Sequence, residues 1–390
     1  MTAAFASELR AIIHNEGVLI FFIFLPLAYP IVYTLIYNKE YVDQIPVAVV
    51  DNSRTAASRD FVRKASASPT ITIYDYVDDM HQAKTLMAEH KVYGVMLIPE
   101  DYAKEIGSGR SAHVTFYSDM SLLMRYRAFV SALSDLQLEL AGEINEERIA
   151  GVGASSMLTS DSPLPINSES NFLGNTQEGF ASFVIPGIVI MILQQSMLLG
   201  IVMLRGSSNE RRRLHGGYDP QYPIGISVGA TVLGRAFCYV FFYIAFTIYN
   251  LHIIPRIFDL PQHGNPVDYL LFIVPMIFAV AFMGQVLAVL ARERESPFLV
   301  IVATSVVFLF LSGLTWPRYA MNSLWIAIGS IIPSTWGIEG FVRINTNAAT
   351  LAENSRPFLW LWGLAIAYFI CAVVVTRILE KKQIKSDSAE

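Results

Sequence analysis

Four consecutive charges, Glu210-Arg211-Arg212-Arg213, stand just beyond an uncharged stretch that ends at Leu204. Such a run can make charge-assisted hydrogen bonds to charged groups on a soluble partner protein. The alternative is contact with anionic lipid headgroups, which fixes topology. A second group of polar residues lies inside apolar stretches: Gln194 and Gln195 in one, Gln285 in another, and Ser312-Gly313 at the end of a third. An amide in such a setting must find a partner, so it faces protein or water rather than lipid. These residues are candidates for the lining of a permeation path or a subunit seam. Equally, they can join helices of one chain by hydrogen bonds with no substrate role.

Residue types used in covalent catalysis are present but not arranged for it. His81, His90 and His113 show no metal-ligand spacing, and no serine sits in a nucleophile-elbow pattern. Asp78-Asp79 fits a helix N-terminus, where carboxylates meet the dipole favourably. Gly107-Ser108-Gly109-Arg110 lacks the Gly-Lys-Ser/Thr ending of a phosphate-binding loop. The chain is therefore expected to be no enzyme, to hold no cofactor or metal, and to have no nucleic-acid partner. Any nucleotide hydrolysis that drives it belongs to another chain. Cys238 and Cys371 both fall in apolar stretches, so no disulfide is expected in the soluble part.

The elements that must position these residues are membrane helices. Hydrophobic residues make up 53% of the 390 and charged residues 16%, where a soluble protein carries about a quarter charged. Roughly 20 apolar residues in a helix cross a bilayer core. Six uncharged stretches qualify: Gly17–Tyr37, Gly179–Leu204, Ala236–Pro255, Tyr269–Ala291, Ser296–Pro317 and Pro357–Thr376. Tyr319–Ile338 is also uncharged but carries Asn322, Ser323, Gly329, Ser330, Pro333, Ser334 and Thr335. Irregular backbone at membrane depth needs a cover of protein or water, so this segment is expected to be a re-entrant or interfacial hairpin.

Charge asymmetry sets the expected orientation. With both termini cytoplasmic, the short inner segments hold eleven basic residues: Arg10, Arg205, Arg211, Arg212, Arg213, Arg292, Arg294, Arg377, Lys381, Lys382 and Lys385. The short outer loops hold four: Arg256, Arg318, Arg343 and Arg356. This is the positive-inside pattern, and a seventh span would put the basic tail outside. Asn38-Lys39-Glu40 follows the first span without a cleavage site, so an uncleaved signal anchor is expected. Arg235, near the start of the third span, is expected to snorkel to headgroups. Phe5, Leu9, Ile12 and Ile13 have helical spacing and suggest a short helix on the inner surface.

Between Asn38 and Glu178 there are 12 Lys/Arg and 20 Asp/Glu, a net of −8, against +3 for the remainder. This acidic insert has strand-like runs at 45–51, 70–76, 92–98 and 112–117. Helical patterns lie at 56–67, 77–90, 100–106 and 121–149. Alternating strands and helices imply an α/β domain. Gly151–Gln177, rich in Ser, Gly, Pro and Asn, fits a linker. The expected fold class is a polytopic α-helical membrane protein with six transmembrane helices and an inserted extracytoplasmic α/β domain. Residues 1–37 form the interfacial helix and first span, 38–178 the domain and linker, and 179–390 the other five spans. Within the last part lie a cytoplasmic loop (205–226), the hairpin (319–338) and a basic tail.

Several segments carry a family likeness. They are "IPVAVVDNS" and "VYGVMLIPEDYAKEIGSGR…VTFYSD" in the insert, "FVIPG" (Phe183–Gly187) before the second span, and the charged segment Arg205–Gly217 after it. "LGR" (Leu233–Arg235), "SGLTWP" (Ser312–Pro317) and "IPSTWGIEGFVRIN" (Ile332–Asn345) follow in order. Together they resemble the permease subunit of a type-2 ABC exporter with a large extracytoplasmic domain after its first helix. His215-Gly216-Gly217 departs from the Gly-Thr-Leu common in that family. The resemblance implies export of a substrate from the cytoplasm or inner leaflet of a bacterial inner membrane. It also implies partnership with ABC ATPase subunits and with a second permease copy or a sister permease. The segment after the second span would then be the coupling element. Membrane lipid and a periplasmic adaptor protein are further candidate partners. The rival reading is a membrane-anchored envelope receptor or scaffold whose acidic domain binds a ligand or partner protein, though five later spans exceed what an anchor needs.

Overall fold

The computed structural model describes residues 1–37, 42–151, 174, 179–223, 225–291, 293 and 296–387. Nearly all of the expected linker Gly151–Gln177, Arg292 and Arg294, and the side chains of Lys381, Lys382 and Lys385, lie outside the described residues. The chain divides into two compact units, residues 1–40 with 172–390, and residues 41–171.

The first unit opens with helix α1 (Thr2–Ile13), whose buried face is Ala4, Ser7, Glu8, Ala11 and Ile12. Asn15 then starts the first long apolar helix: its Oδ1 accepts from the Val18 N–H at 3.3 Å. That helix runs Glu16–Ile36 as α2 (Glu16–Val18), a π-helical turn Leu19–Phe24, and α3 (Leu25–Ile36). Pro30 has no N–H to give the carbonyl four residues back. The orphaned Pro26 carbonyl accepts instead from Asn250 Nδ2 at 3.0 Å, tying this helix to a later one.

The second unit is an α/β domain. Its elements are β1 (Ile45–Asp51), α4 (Ala56–Ala67), β2 (Ile71–Tyr76), α5 (Met80–Ala88), β3 (Gly94–Ile98), α6 (Tyr102–Gly107), β4 (Thr115–Ser118) and α7 (Leu123–Gly151). Strand order is β2-β1-β3-β4, the first three parallel and β4 antiparallel. The unbroken apolar run of β1 follows from burial on both faces. Val47 and Val49 meet Phe61 and Val62 of α4 and Phe129, Leu133 and Leu136 of α7, while Ala48 and Val50 meet Ala83 of α5. Helix starts are set by side chains: Thr55 and Ser58 form a capping box on α4, and Asp79 Oδ1 accepts from Gln82 N at 2.8 Å on α5. Asp78 pairs with Arg54 at 3.2 Å, both largely exposed.

The first unit resumes with α8 (Phe180–Leu214), α9 (Val228–Ile248) with a π-helical turn Tyr249–Ile253 and α10 (Ile254–Ile257), and α11 (Pro266–Leu287). After α12 (Ser296–Leu311) come α13 (Ser323–Ser330), α14 (Pro333–Asn347) and α15 (Ser355–Asp387). Helix α8 is central, buried along almost its whole apolar length against α11, α14, α12 and α3. Tyr37 and Phe180, where the chain leaves and rejoins the bundle, meet edge to face at 5.2 Å.

Among the described residues, five helices are long and apolar enough to cross a membrane, and α12, at 16 residues, is a shorter apolar sixth. The expected fifth span, Ser296–Pro317, is thus cut back. Ser312 Oγ accepts from Leu314 N, and Gly313 takes φ +90, the left-handed residue that ends a helix. The second and third spans are longer than expected. Helix α8 continues past Leu204 to Leu214, and the third begins at Val228 rather than Ala236. A charged residue had marked each boundary, yet both Arg205 and Arg235 lie within helices, and Arg235 is paired with Glu8. The hairpin breaks at Ile331–Ile332 against the middle of α8, and its second arm runs to Asn347, beyond Ile338.

Phe129 is 1% exposed and fastens α7 to the sheet. Phe129→Ala is expected to lower the stability of the 41–171 unit by about 3–5 kcal/mol, measured by urea unfolding of that unit expressed alone.

Candidate functional site

One end of the bundle brings together Glu8, Arg205, Arg235 and the charges at the end of α8. Helix α8 does not stop at Arg205 but runs on through Gly206 to Leu214, and Gly216 and Gly217, which take φ +63 and +95, follow its end. The quartet Glu210-Arg211-Arg212-Arg213 is therefore the last turn of a helix and not part of a loop, and its three cations meet the negative end of the helix dipole. The segment beyond it is held back on the helix. Arg211 grips Asp219 with two hydrogen bonds, Nε to Oδ1 at 3.0 Å and Nη2 to Oδ2 at 2.9 Å. Asp219 also accepts from the Gln221 N–H at 3.0 Å. Asn209 Nδ2 donates to the Ala291 carbonyl at 2.7 Å, fixing the end of α11 beside the quartet. Arg213 and Glu293 approach to 3.6 Å with both side chains mostly exposed, a contact worth little.

Burial opposes the charge on Asp219, but the Arg211 fork and the Gln221 N–H overcome it and hold the carboxyl below its ordinary range. A depressed folded pKa means the clamp contributes fully above about pH 3.9, the unfolded value, and is lost as pH falls further through the folded value.

Deeper in the same end lies a buried ion pair joining α1 to α9. Glu8 is 2% exposed; Arg235 Nε lies 3.2 Å from its Oε2, and the Tyr239 hydroxyl donates to its Oε1. The Arg235 guanidinium also lies 4.6 Å over the Tyr222 ring. Burial, then the Glu8 charge, raises the Tyr222 phenol well above its ordinary range, so it stays a neutral donor. The expectation that Arg235 snorkels to headgroups is therefore wrong: a carboxylate from α1 reaches it inside the protein. Sequence reasoning missed Glu8, and its only signal was a lone acid on the apolar face of a short helix.

Gln194 is fully buried, and its Oε1 accepts from the Ser334 N–H at 2.8 Å. Ser334 stands in the first turn of α14, where N–H groups have no partner within the helix. The amide thus caps the hairpin at its break. Both polar atoms of the neighbouring Gln195 amide are enclosed without a hydrogen-bond partner among the described residues. Gln285, far from these two, donates to the Val232 carbonyl at 3.2 Å and lines the same cavity as Glu8 and Arg235. Ser312 and Gly313 terminate α12, and a Cβ on Gly313 would stand 2.9 Å from Arg318 Cγ. Arg318 itself organises the hairpin. It donates to Glu339 of α14 at 2.7 Å and to Ser330 of α13 at 3.0 Å, and lies 4.4 Å over Trp336.

A core of long apolar helices, an inserted α/β domain and charges gathered at one bundle end define a polytopic membrane protein. The chain belongs to the ABC-2 family of transporter proteins, whose family model matches residues 17–374. It is the membrane-spanning permease part of an ABC transporter, which answers the choice between transporter and receptor scaffold. No curated protein matches the chain significantly.

Removing one partner of a buried ion pair strands the other. Glu8→Leu or Arg235→Met alone should destabilise by about 3–5 kcal/mol, and the double variant by much less than the sum, in detergent thermal unfolding. Asp219→Asn should lower stability equally at pH 5 and pH 8; a penalty confined to pH 8 would mean the clamp had already titrated at pH 5.

Proposed function

We propose that this permease is the membrane subunit of an ATP-driven exporter, with the end of α8 as the site where a partner ATPase engages. The observation that carries the reading is the continuity of α8. From Gln194, which caps the hairpin, to Glu210 the helix is unbroken, a distance of about 24 Å at 1.5 Å per residue. A rod of that kind transmits a displacement of its charged end to the hairpin instead of absorbing it in a loop. On this reading the bundle end carrying α1, the quartet and the C-terminal tail is cytoplasmic, and the α/β domain and hairpin mouth are extracytoplasmic. Hydrolysis takes place on the partner, and transport follows from packed helices shifting between two arrangements.

The subunit would work as a dimer with a second copy or a sister permease. Helix α8 is largely covered by its own chain and Gln194 is bonded to the hairpin, which favours a seam elsewhere. The exposed apolar face of α12, with Leu299, Val302, Val306 and Phe310, is the better seam. Gln195, with no hydrogen-bond partner among the described residues, is the candidate lining of the pathway.

Reversing charge at both Glu210 and Arg212 should leave the protein inserted while reducing co-purification of the ATPase and abolishing nucleotide-dependent transport. Normal co-purification and transport by this variant would reduce the quartet to a topology signal.

A further inference from the structure

The buried cluster at the charged end encloses a cavity of about 30 Å³, lined by Glu8, Arg205, Tyr222, Arg235 and Gln285 among others. A volume near 10–15 Å³ holds one water, so this space takes about two, or one compact ion. Its charge does not balance. Two guanidinium groups face it and one carboxylate, and that carboxylate is already committed to Arg235 and the Tyr239 hydroxyl. Arg205 has neither a hydrogen bond nor an ion pair among the described residues; its electrostatic neighbours include the like charges of Arg235 and Arg212. A half-buried cation with no partner among the described residues draws a counter-charge to the space beside it.

We infer that the cavity binds one compact anionic group on Arg205, the cation of its lining that has no counter-charge bonded to it. The group is a small free anion or a phosphoryl oxygen of a lipid headgroup reaching in from the membrane surface. Bound there, it fastens α8, α9 and the later part of α15 to the N-terminal helix, since all of these line the cavity, as does Gln285 of α11. The inference does not depend on the transport reading.

The test is thermal unfolding of the full-length protein with chloride, phosphate or the bulky gluconate as the sole anion. It is repeated in nanodiscs of phosphatidylcholine with and without phosphatidylglycerol at low halide. The expected result is a saturable rise in melting temperature of several degrees with one anion source and none with gluconate. Dependence on chloride or phosphate identifies a free ion, and dependence on phosphatidylglycerol a headgroup. Arg205→Gln should remove the dependence. Gln285→Glu, which supplies a carboxylate from the cavity wall, should make the protein stable without added anion. Identical melting in every condition, or a dependence that survives Arg205→Gln, overturns the proposal.

Discussion

The hydrocarbon core of a bilayer offers no hydrogen bonds, so each polar group placed there must be satisfied by the chain itself. The architecture of the helical unit can be traced through the pairs that meet this demand. Glu8 and Arg235 hold α1 to α9. Asn250 answers the carbonyl that Pro30 leaves open, joining the first long helix to the third. Tyr243 donates to Ser196 at 2.9 Å, linking α9 to α8. Gln194 caps the hairpin. Apolar packing alone would let these helices slide past one another, because lipid tails are as apolar as leucine. The polar pairs fix the register, and α8 takes part in two of them.

That arrangement explains why the functional interest concentrates on α8. Its middle touches the hairpin and its far end carries the charged quartet. Between these points it is sheathed by α11, α12 and α14. The loop that follows is bound back by the Arg211–Asp219 fork. A force on the quartet therefore meets a stiff element at once, whereas a flexible loop there would dissipate it.

Much of this was legible in the sequence, and the failures have a common cause. Uncharged runs located the long helices, and the strand and helix patterns of the insert correspond closely to β1–β4 and α4–α7. The errors fell where a charge was taken to mark the end of a helix. Arg205 and Arg235 both lie within helices, and the acid that offsets Arg235 lies on α1, with its other partner Tyr239 separated from it by 231 positions. No local pattern reveals a partner at that distance. The fifth span was drawn too long because the uncharged run continues to Pro317, whereas the left-handed φ of Gly313 ends the helix. Gln194 was recognised as needing a partner, but its choice of a backbone N–H on the hairpin depends on the tertiary fold.

The central claim is that the quartet at the end of α8 meets an ATPase. A photo-crosslinking residue placed at Arg212 in native membranes tests it most directly, with one at Asp119 in the α/β domain as the control. The account predicts a crosslinked product at Arg212 whose partner carries a nucleotide-binding P-loop, with a yield that changes when ATP is added, and no such product at Asp119. Crosslinking at Arg212 to lipid alone, or equally to the same protein from both positions, would contradict it.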